Sequence, residues 1–364
     1  MASQTETRAA VLGEAGAPLT VETLVLEPPR EGEVLVRLGA SGVCHSDLHV
    51  RDGDWKRPLP AVLGHEGAGV VEGVGAGVTS VRAGDHVVLS WWYPCRRCRF
   101  CATGRTWACS GTRAGESLLP DGTTRLSRAS GEAVRAYLAI GTFSERAVVP
   151  ESAAISIAPE VPFEVASLIG CAVTTGVGAV LNTASVPEGA SVIVLGCGGV
   201  GLSVLMGATL AGATPIVAVD SSKDKLELAG DLGATHAVAS AQEARGLLPE
   251  GADFVFEAIG LPATIEEVPG LLAPGGTGVL VGLTPQGVAV SFDAYTFVDR
   301  GLRLLGSNYG SSDPTVDFPR IADLYLEGLL PLDRLVSHRI GLEEIEAAFD
   351  AMRRAERARS VVVF

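Results

Sequence analysis

The chain has 364 residues, 47% of them hydrophobic and 19% charged, with a formal net charge of −14 at neutral pH. That length accommodates two ordinary domains, each able to bury its own core, and a surface of that sign repels phosphate backbones, which argues against nucleic acid as a partner. No apolar run reaches the eighteen or so residues of a membrane helix, and the opening Met1-Ala2-Ser3-Gln4-Thr5-Glu6 lacks the basic-then-apolar order of a secretory signal. The expectation is a soluble cytoplasmic protein, in which clustered thiols hold metal more often than they form disulfides.

In chain order, the first half reads as short β segments. Val34–Leu38, Gly69–Val74 and His86–Leu89 are brief aliphatic runs, bounded by turn clusters such as Glu31-Gly32 and Ala83-Gly84-Asp85. Cys44-His45-Ser46-Asp47 and Gly64-His65-Glu66 fall between these segments. Next come Cys95, Cys98, Cys101 and Cys109, spaced C-x2-C-x2-C-x7-C. Four thiolates this close suit a soft cation in a closed tetrahedral site, Zn²⁺ above all. Arg96, Arg97, Arg99 and Arg105 beside them favour the thiolate form. An iron–sulfur cluster and disulfide pairs are the competing readings.

The texture changes near Val173. Apolar strands at Val192–Leu195, Pro215–Asp220, Phe254–Phe256 and Gly278–Gly282 alternate with helical segments at Leu202–Leu210 and Ser222–Leu232. That alternation predicts a parallel, doubly wound sheet. After about Ser307 it stops, and helices at Phe318–Glu327 and Leu342–Ala355 lead to a last strand, Ser360–Phe364. The expected architecture is α/β, a β-rich domain split around a Rossmann domain, with boundaries 1–172 and 309–364 for the first and 173–308 for the second.

Gly196-Cys197-Gly198-Gly199-Val200-Gly201 is a G-x-G-x-x-G run between a strand and a helix, with Asp220 nineteen residues beyond Gly201. In that context it predicts dinucleotide binding. Gly196 permits the tight turn, Gly198 the approach of a pyrophosphate to the helix N-terminus, and Gly201 close helix–strand packing. Asp220 is placed to accept from a ribose diol and to repel a 2′-phosphate, which selects NAD over NADP. Lys225 is in reach of the same ribose.

Cys44, His65 and Cys171 make a Cys2His set that leaves the fourth position of a zinc open, as catalytic zinc requires. Zinc and NAD on one chain imply alcohol or aldehyde chemistry: the metal polarises the oxygen and hydride passes between carbon and nicotinamide. Cys197, the seventh cysteine, fills a free position of the glycine loop.

These residues resemble the zinc-dependent medium-chain alcohol dehydrogenases over nearly the whole chain. Gly64-His65-Glu66-x2-Gly69-x5-Gly75-x2-Val78 matches the zinc signature, and the cysteine quartet matches the structural zinc lobe. The resemblance implies a GroES-like catalytic domain split around the Rossmann domain. It implies two zincs per chain, the catalytic one on Cys44, His65 and Cys171, with Glu66 able to approach it and Asp47 bonded to His65. It implies a proton path from the alcohol to Ser46, through the nicotinamide ribose, to His49. His45 and Arg359 would touch the pyrophosphate, and Thr175 and Val200 would pack on the nicotinamide. Trp55, Trp91 and Leu283 would face the substrate. Two indoles favour short primary or flat aromatic alcohols. Arg113 matches an arginine of the thiol-dependent formaldehyde dehydrogenase branch, which makes that activity the alternative, although that branch usually lacks a histidine at the His49 position. Residues 113–139 resemble the insertion of the dimeric branch, so a homodimer paired near residues 295–308 is expected. An inactive structural relative would be expected to have lost Cys44, His65 or Cys171.

Overall fold

The structure, a computed structural model, describes residues 5–354 and 359–364. It divides into two compact units. One takes the chain up to Cys171, Asp313–Gly328 and Leu332–Phe364; the other takes Ala172–Ser312 and Leu329–Pro331.

The first unit is β-rich. Strands Thr5–Leu12, Thr20–Leu26, Leu126–Ser127, Ala133–Ala136 and Ala61–Val62 close into a barrel in that order. The segment expected as an insertion thus contributes two barrel strands, and closure removes the open edges. A second sheet runs Ala154–Ser156, His86–Leu89, Glu66–Val74, Glu33–Gly42, Arg359–Val363 and Val336–Ile340, with Arg146–Pro150 also paired to Glu33–Gly42. Its long central pair is antiparallel and ends with Gly42 opposite Glu66. Leu24, Leu38, Val71, Leu89, Phe143 and Phe349 are among the buried residues of one continuous apolar cluster.

The second unit holds six parallel strands in the spatial order His236–Val238, Ile216–Val219, Val192–Leu195, Ala252–Glu257, Leu272–Leu280, Arg303–Gly306. Numbered along the unit this is 3-2-1-4-5-6, the doubly wound order with its switch point between the first and fourth strands. The inner strands are apolar on both faces, as burial between helix layers requires. His236–Val238 and Arg303–Gly306, each mixing one charged or polar residue with apolar ones, sit at the two edges.

Two expectations need correction. Tyr309–Ser312 stays with the second unit, because Asn182 Nδ2 donates to the Gly310 carbonyl at 3.3 Å and the Thr183 and Ser311 hydroxyls meet at 2.8 Å. And one helical run, Phe163–Ala184, is long and apolar enough to span a membrane. With 83% of its apolar window buried inside the protein, it is built as core.

Candidate active site

The antiparallel pairing of Glu33–Gly42 with Glu66–Val74 brings distant residues together. Cys44 lies two residues past the end of one strand and His65 one residue before the start of the other. Cys44 stands at the N-cap of the helix His45–Asp52, in an extended conformation. Asp47, in the first turn, turns its carboxylate back: Oδ2 accepts from the Cys44 backbone N–H at 3.2 Å. Oδ1 accepts from Gly64 N–H and from His65 Nδ1, both at 3.0 Å. One fully buried carboxylate therefore fixes both loops and the tautomer of His65.

Cys171 arrives on a π-helical turn, Ile169–Val173. A Cβ at Gly170 would stand 2.9 Å from the Leu89 carbonyl and 3.6 Å from Glu66 Cα, so glycine lets this turn press against the sheet. The ligand atoms of Cys44, His65, Glu66 and Cys171 all lie within 4.8 Å of one another, and all four residues are buried. Glu66 meets the buried guanidinium of Arg359. The Trp91 side chain lies near Cys171 and favours its thiolate.

The electrostatics of this cluster call for a cation. The Cys44 thiol is held well below its ordinary value, chiefly by a hydrogen bond from Cys171 and, against burial, by the charges of His65 and Arg359. Cys171 is raised by Cys44 and by burial. Burial opposes charge on His65, yet the Asp47 and Cys44 charges outweigh it and lift the imidazole to about 10. His65 Nε2 is buried and has no hydrogen-bond partner. Two sulfurs, an unpartnered imidazole nitrogen and a carboxylate in reserve fit zinc with a position open to substrate.

The quartet is a separate cluster, its sulfurs also within 4.8 Å of one another. Cys98 Sγ lies 3.6 Å from Cys101 Sγ and 3.9 Å from Cys109 Sγ. These separations are far beyond a disulfide bond of ~2.05 Å, and all seven cysteines are free. The disulfide reading therefore falls. Backbone N–H groups, that of Cys101 foremost, pull the Cys98 thiol down to about 5, while burial pushes Cys101 up to about 12. Arg96, between two of these ligands, reaches Asp313 with Nη2 to Oδ1 at 2.7 Å and so ties the lobe to the helix Pro314–Leu326.

In the second unit the glycine run behaves as expected. Gly196 has φ +93°, and a Cβ on Gly201 would stand 1.7 Å from the Gly196 carbonyl oxygen. A Cβ on Gly198 would meet nothing within 4 Å, which leaves open the approach to the N-terminus of the helix Gly199–Leu210. Asp220 follows the strand Ile216–Val219, and its carboxylate accepts from Cys197 N–H at 2.8 Å and Ser222 N–H at 2.9 Å. Lys225 is half-buried on the next helix. Thr175 lies on Thr174–Gly178, packed so closely on Gly199–Leu210 that a Cβ at Gly176 would stand 2.4 Å from the Val200 carbonyl. The loop, its open Gly198 and its acidic strand end fit a dinucleotide. Sequence reading missed Glu257, buried at the end of the fourth strand, which accepts from Ile259 N–H, Gly260 N–H and the Thr264 hydroxyl. A carboxylate closing an apolar strand at the switch point was the available signal.

Residues 30–159 match the family described as Alcohol dehydrogenase GroES-like domain, and residues 199–327 the family Zinc-binding dehydrogenase. The chain is 40% identical to the alcohol dehydrogenase class-3 of Cereibacter sphaeroides, over 98% of this chain and 100% of that one. The chain belongs to the zinc-binding alcohol dehydrogenase family. This dehydrogenase is also 39% identical to the S-(hydroxymethyl)glutathione dehydrogenase of Paracoccus denitrificans, over 98% and 100% of the two chains. The solved benzyl alcohol dehydrogenase of Acinetobacter calcoaceticus superposes on it with a TM-score of 0.93 at 34% identity, over 99% of each chain. The dehydrogenase is thus an NAD-dependent zinc oxidoreductase, and both cysteine clusters fit zinc.

The remaining expected residues have definite places. Ser46 and His49 lie three apart on the helix His45–Asp52 and so share a face. His49 Nδ1 pairs with Asp54 at 2.9 Å, and its ring stacks on Trp55 at 4.7 Å. His45 is exposed on the same helix, Trp55 is buried and Leu283 is exposed. Arg359 was expected at a pyrophosphate; the structure engages it with Glu66. Arg113 was expected to await a substrate carboxylate. Its guanidinium is instead taken by Glu116, with Nη2 at 2.6 Å and Nε at 3.1 Å from the same oxygen. Tyr137, which no motif marked, stands edge-on to His65 with ring centroids 5.7 Å apart. No spacing links residues so far apart in the chain; only the barrel does.

Proposed function

We propose that the dehydrogenase transfers a hydride between NAD and a primary alcohol or aldehyde, short-chain or aromatic. The observation that carries this reading is the buried Cys44–His65–Cys171 set with Glu66 in reserve and no fourth protein ligand committed. Zinc held there supplies a Lewis acid for the substrate oxygen, and bound NAD supplies the hydride acceptor. The chain's own residues do the rest. Asp47 orients His65. Ser46 takes the hydroxyl proton, and His49, on the same helix face and braced by Asp54, returns it to water. Trp55 and Trp91 narrow the pocket and exclude water. His45 serves the pyrophosphate, Thr175 and Val200 the nicotinamide, and Asp220 with Lys225 the adenosine ribose, while Arg359 holds Glu66. The carboxylate of Asp220 favours NAD over NADP.

The first unit is read as the catalytic domain and the second, which keeps Tyr309–Ser312, as the cofactor domain. A cytoplasmic homodimer is part of the same reading. It is supported by the edge strand Arg303–Gly306 and by Tyr295 and Val298 before it, 74% and 84% exposed.

The second reading is a thiol-adduct formaldehyde dehydrogenase, favoured by the names of the two relatives above. Retention of His49 and the pairing of Arg113 with Glu116 weigh against it. The deciding experiment is steady-state turnover with NAD on primary, secondary and aromatic alcohols, and on formaldehyde with and without a low-molecular-weight thiol. Turnover of primary alcohols alone supports the first reading; strict thiol dependence replaces it with the second.

A further inference from the structure

Glu257 ends the fourth strand of the second unit and is fully buried. It is in register with Leu195, the residue before Gly196, on one side and with Leu280 on the other. Its backbone carbonyl accepts from Val281 N–H and Gly282 N–H, both at 2.9 Å. Its carboxylate Oε1 accepts from Ile259 N–H at 3.0 Å, Gly260 N–H at 2.9 Å and the Thr264 hydroxyl at 2.8 Å. Oε2 takes a longer bond of 3.2 Å, again from Gly260 N–H. Backbone N–H groups can only donate, so this environment suits the ionised carboxylate. Burial raises its pKa, and the three donors oppose that rise. No lysine, arginine or histidine pairs with it among the described residues. The result is a buried negative charge held by dipoles and balanced by no cation.

The place of that charge matters. The strand ends on both sides of the switch point close around it: a Cβ at Gly282 would stand 2.7 Å from Glu257 Oε2, and a Cβ at Gly196 would stand 2.5 Å from Ile259 Cγ1, in the turn that Glu257 holds. A dinucleotide lies across this crevice, one mononucleotide on each half of the sheet. Gly196–Gly201 and Asp220 account for the pyrophosphate and the adenosine ribose on the first half. The nicotinamide end falls to the half that begins at Glu257. Its ring is the part of NAD whose charge changes in the reaction, cationic before it accepts hydride and neutral afterwards. We propose that Glu257 is a specificity-determining residue for the redox state of the cofactor, its buried and cation-free carboxylate favouring NAD⁺ over NADH. This rests on the NAD reading above and adds to it a preference between the two forms. The competing role for such a carboxylate is purely structural, holding the turn before the helix Pro262–Leu271. A structural role would affect every ligand of the crevice alike, whereas a charge acts on the ring.

The experiment is titration calorimetry of the zinc-loaded full chain with NAD⁺, NADH and ADP-ribose, at mildly alkaline pH where the carboxylate is ionised. ADP-ribose lacks the nicotinamide and reports on the rest of the site. In E257Q, close in shape but uncharged, the ratio of Kd for NADH to Kd for NAD⁺ should fall about fivefold or more, one charge interaction's worth, while the Kd of ADP-ribose stays within about twofold of wild type. E257D keeps the charge and should keep most of the ratio, even where all three ligands bind more weakly. T264V removes a donor from the carboxylate, leaves its charge less compensated and should raise the ratio; it keeps the test open should E257Q fail to fold. An unchanged ratio in E257Q overturns the proposal, and so does an equal loss of affinity for all three ligands, which would assign the carboxylate to the turn alone. A ratio lost as fully in E257D as in E257Q, or one that fails to rise in T264V, also overturns it. Wild-type protein that binds none of the three overturns the NAD reading itself.

Discussion

Asp47→Asn tests how the catalytic metal site is held. The wild-type carboxylate accepts three hydrogen bonds in full burial, from Cys44 N–H, Gly64 N–H and His65 Nδ1. An asparagine has one acceptor oxygen. Placed at Oδ1 it still serves Gly64 and His65, but its amide then faces the Cys44 N–H, donor against donor. Leaving that buried N–H unsatisfied costs ~1–3 kcal/mol. The two remaining bonds lose their charge assistance, roughly half their strength. The expected loss of stability is about 2–4 kcal/mol. The Cys44 and His65 loops loosen together, so affinity for the catalytic zinc should fall about 10- to 100-fold. The assay is chelator titration of the zinc-loaded protein with an indicator for released metal, beside a thermal melt. The zinc of the quartet, which Asp47 does not touch, is the internal control. A folded variant that holds its catalytic zinc within about twofold of wild type would show that Asp47 does not position His65.

Other outcomes follow from the same structure. Cys98→Ser should release the quartet zinc and lower the melting temperature, because Cys98 bridges toward both Cys101 and Cys109; Cys44→Ser should abolish turnover in a protein that still folds. Equal loss of turnover with unchanged stability in both would overturn that division. Asp220→Asn removes the charge at the strand end and should reduce the NAD-over-NADP ratio of kcat/KM by about tenfold or more, one charge interaction's worth; an unchanged ratio contradicts the role of the carboxylate. Acid stability should depend on Asp121: burial raises its pKa, but hydrogen bonds from Arg125 and Thr123 outweigh burial and hold it at about 2. Its contribution is therefore complete above the ordinary carboxylate value of about 4 and is lost as pH falls from there toward 2. Half-exposure of the side chain keeps that contribution small. Asp121→Asn should remove that small contribution at neutral pH and leave stability unchanged near pH ~2, so that the variant's profile is flatter between about pH 4 and 2; a loss as large near pH ~2 as at neutral pH would refute the assignment.

Much of this site was legible in the residues. Four cysteines within fifteen positions can only be neighbours in space, so C-x2-C-x2-C-x7-C announces its own cluster. The glycine loop is equally local: Gly196, Gly198, Gly201 and Asp220 belong to one strand–helix–strand unit, and the constraints on each are set by backbone within that unit. Strands buried on both faces, such as Val192–Leu195, declare themselves by composition. The edge strands His236–Val238 and Arg303–Gly306 do not, because half of their surroundings is solvent and their sequence is mixed.

What the sequence alone determined is therefore the inventory of chemistry: a saturated thiolate lobe, an open Cys2His set and a dinucleotide loop, each fixed by residue type and short spacing. What only the tertiary structure decided is how charged side chains are paired. Arg359 is committed to Glu66 and Arg113 to Glu116, although nothing in their local sequence distinguishes them. Ion pairing and burial depend on contacts between strands and loops far apart in the chain, such as the Gly42–Glu66 register and the barrel that sets Tyr137 against His65. Those contacts carry no period and no spacing that a linear reading can detect.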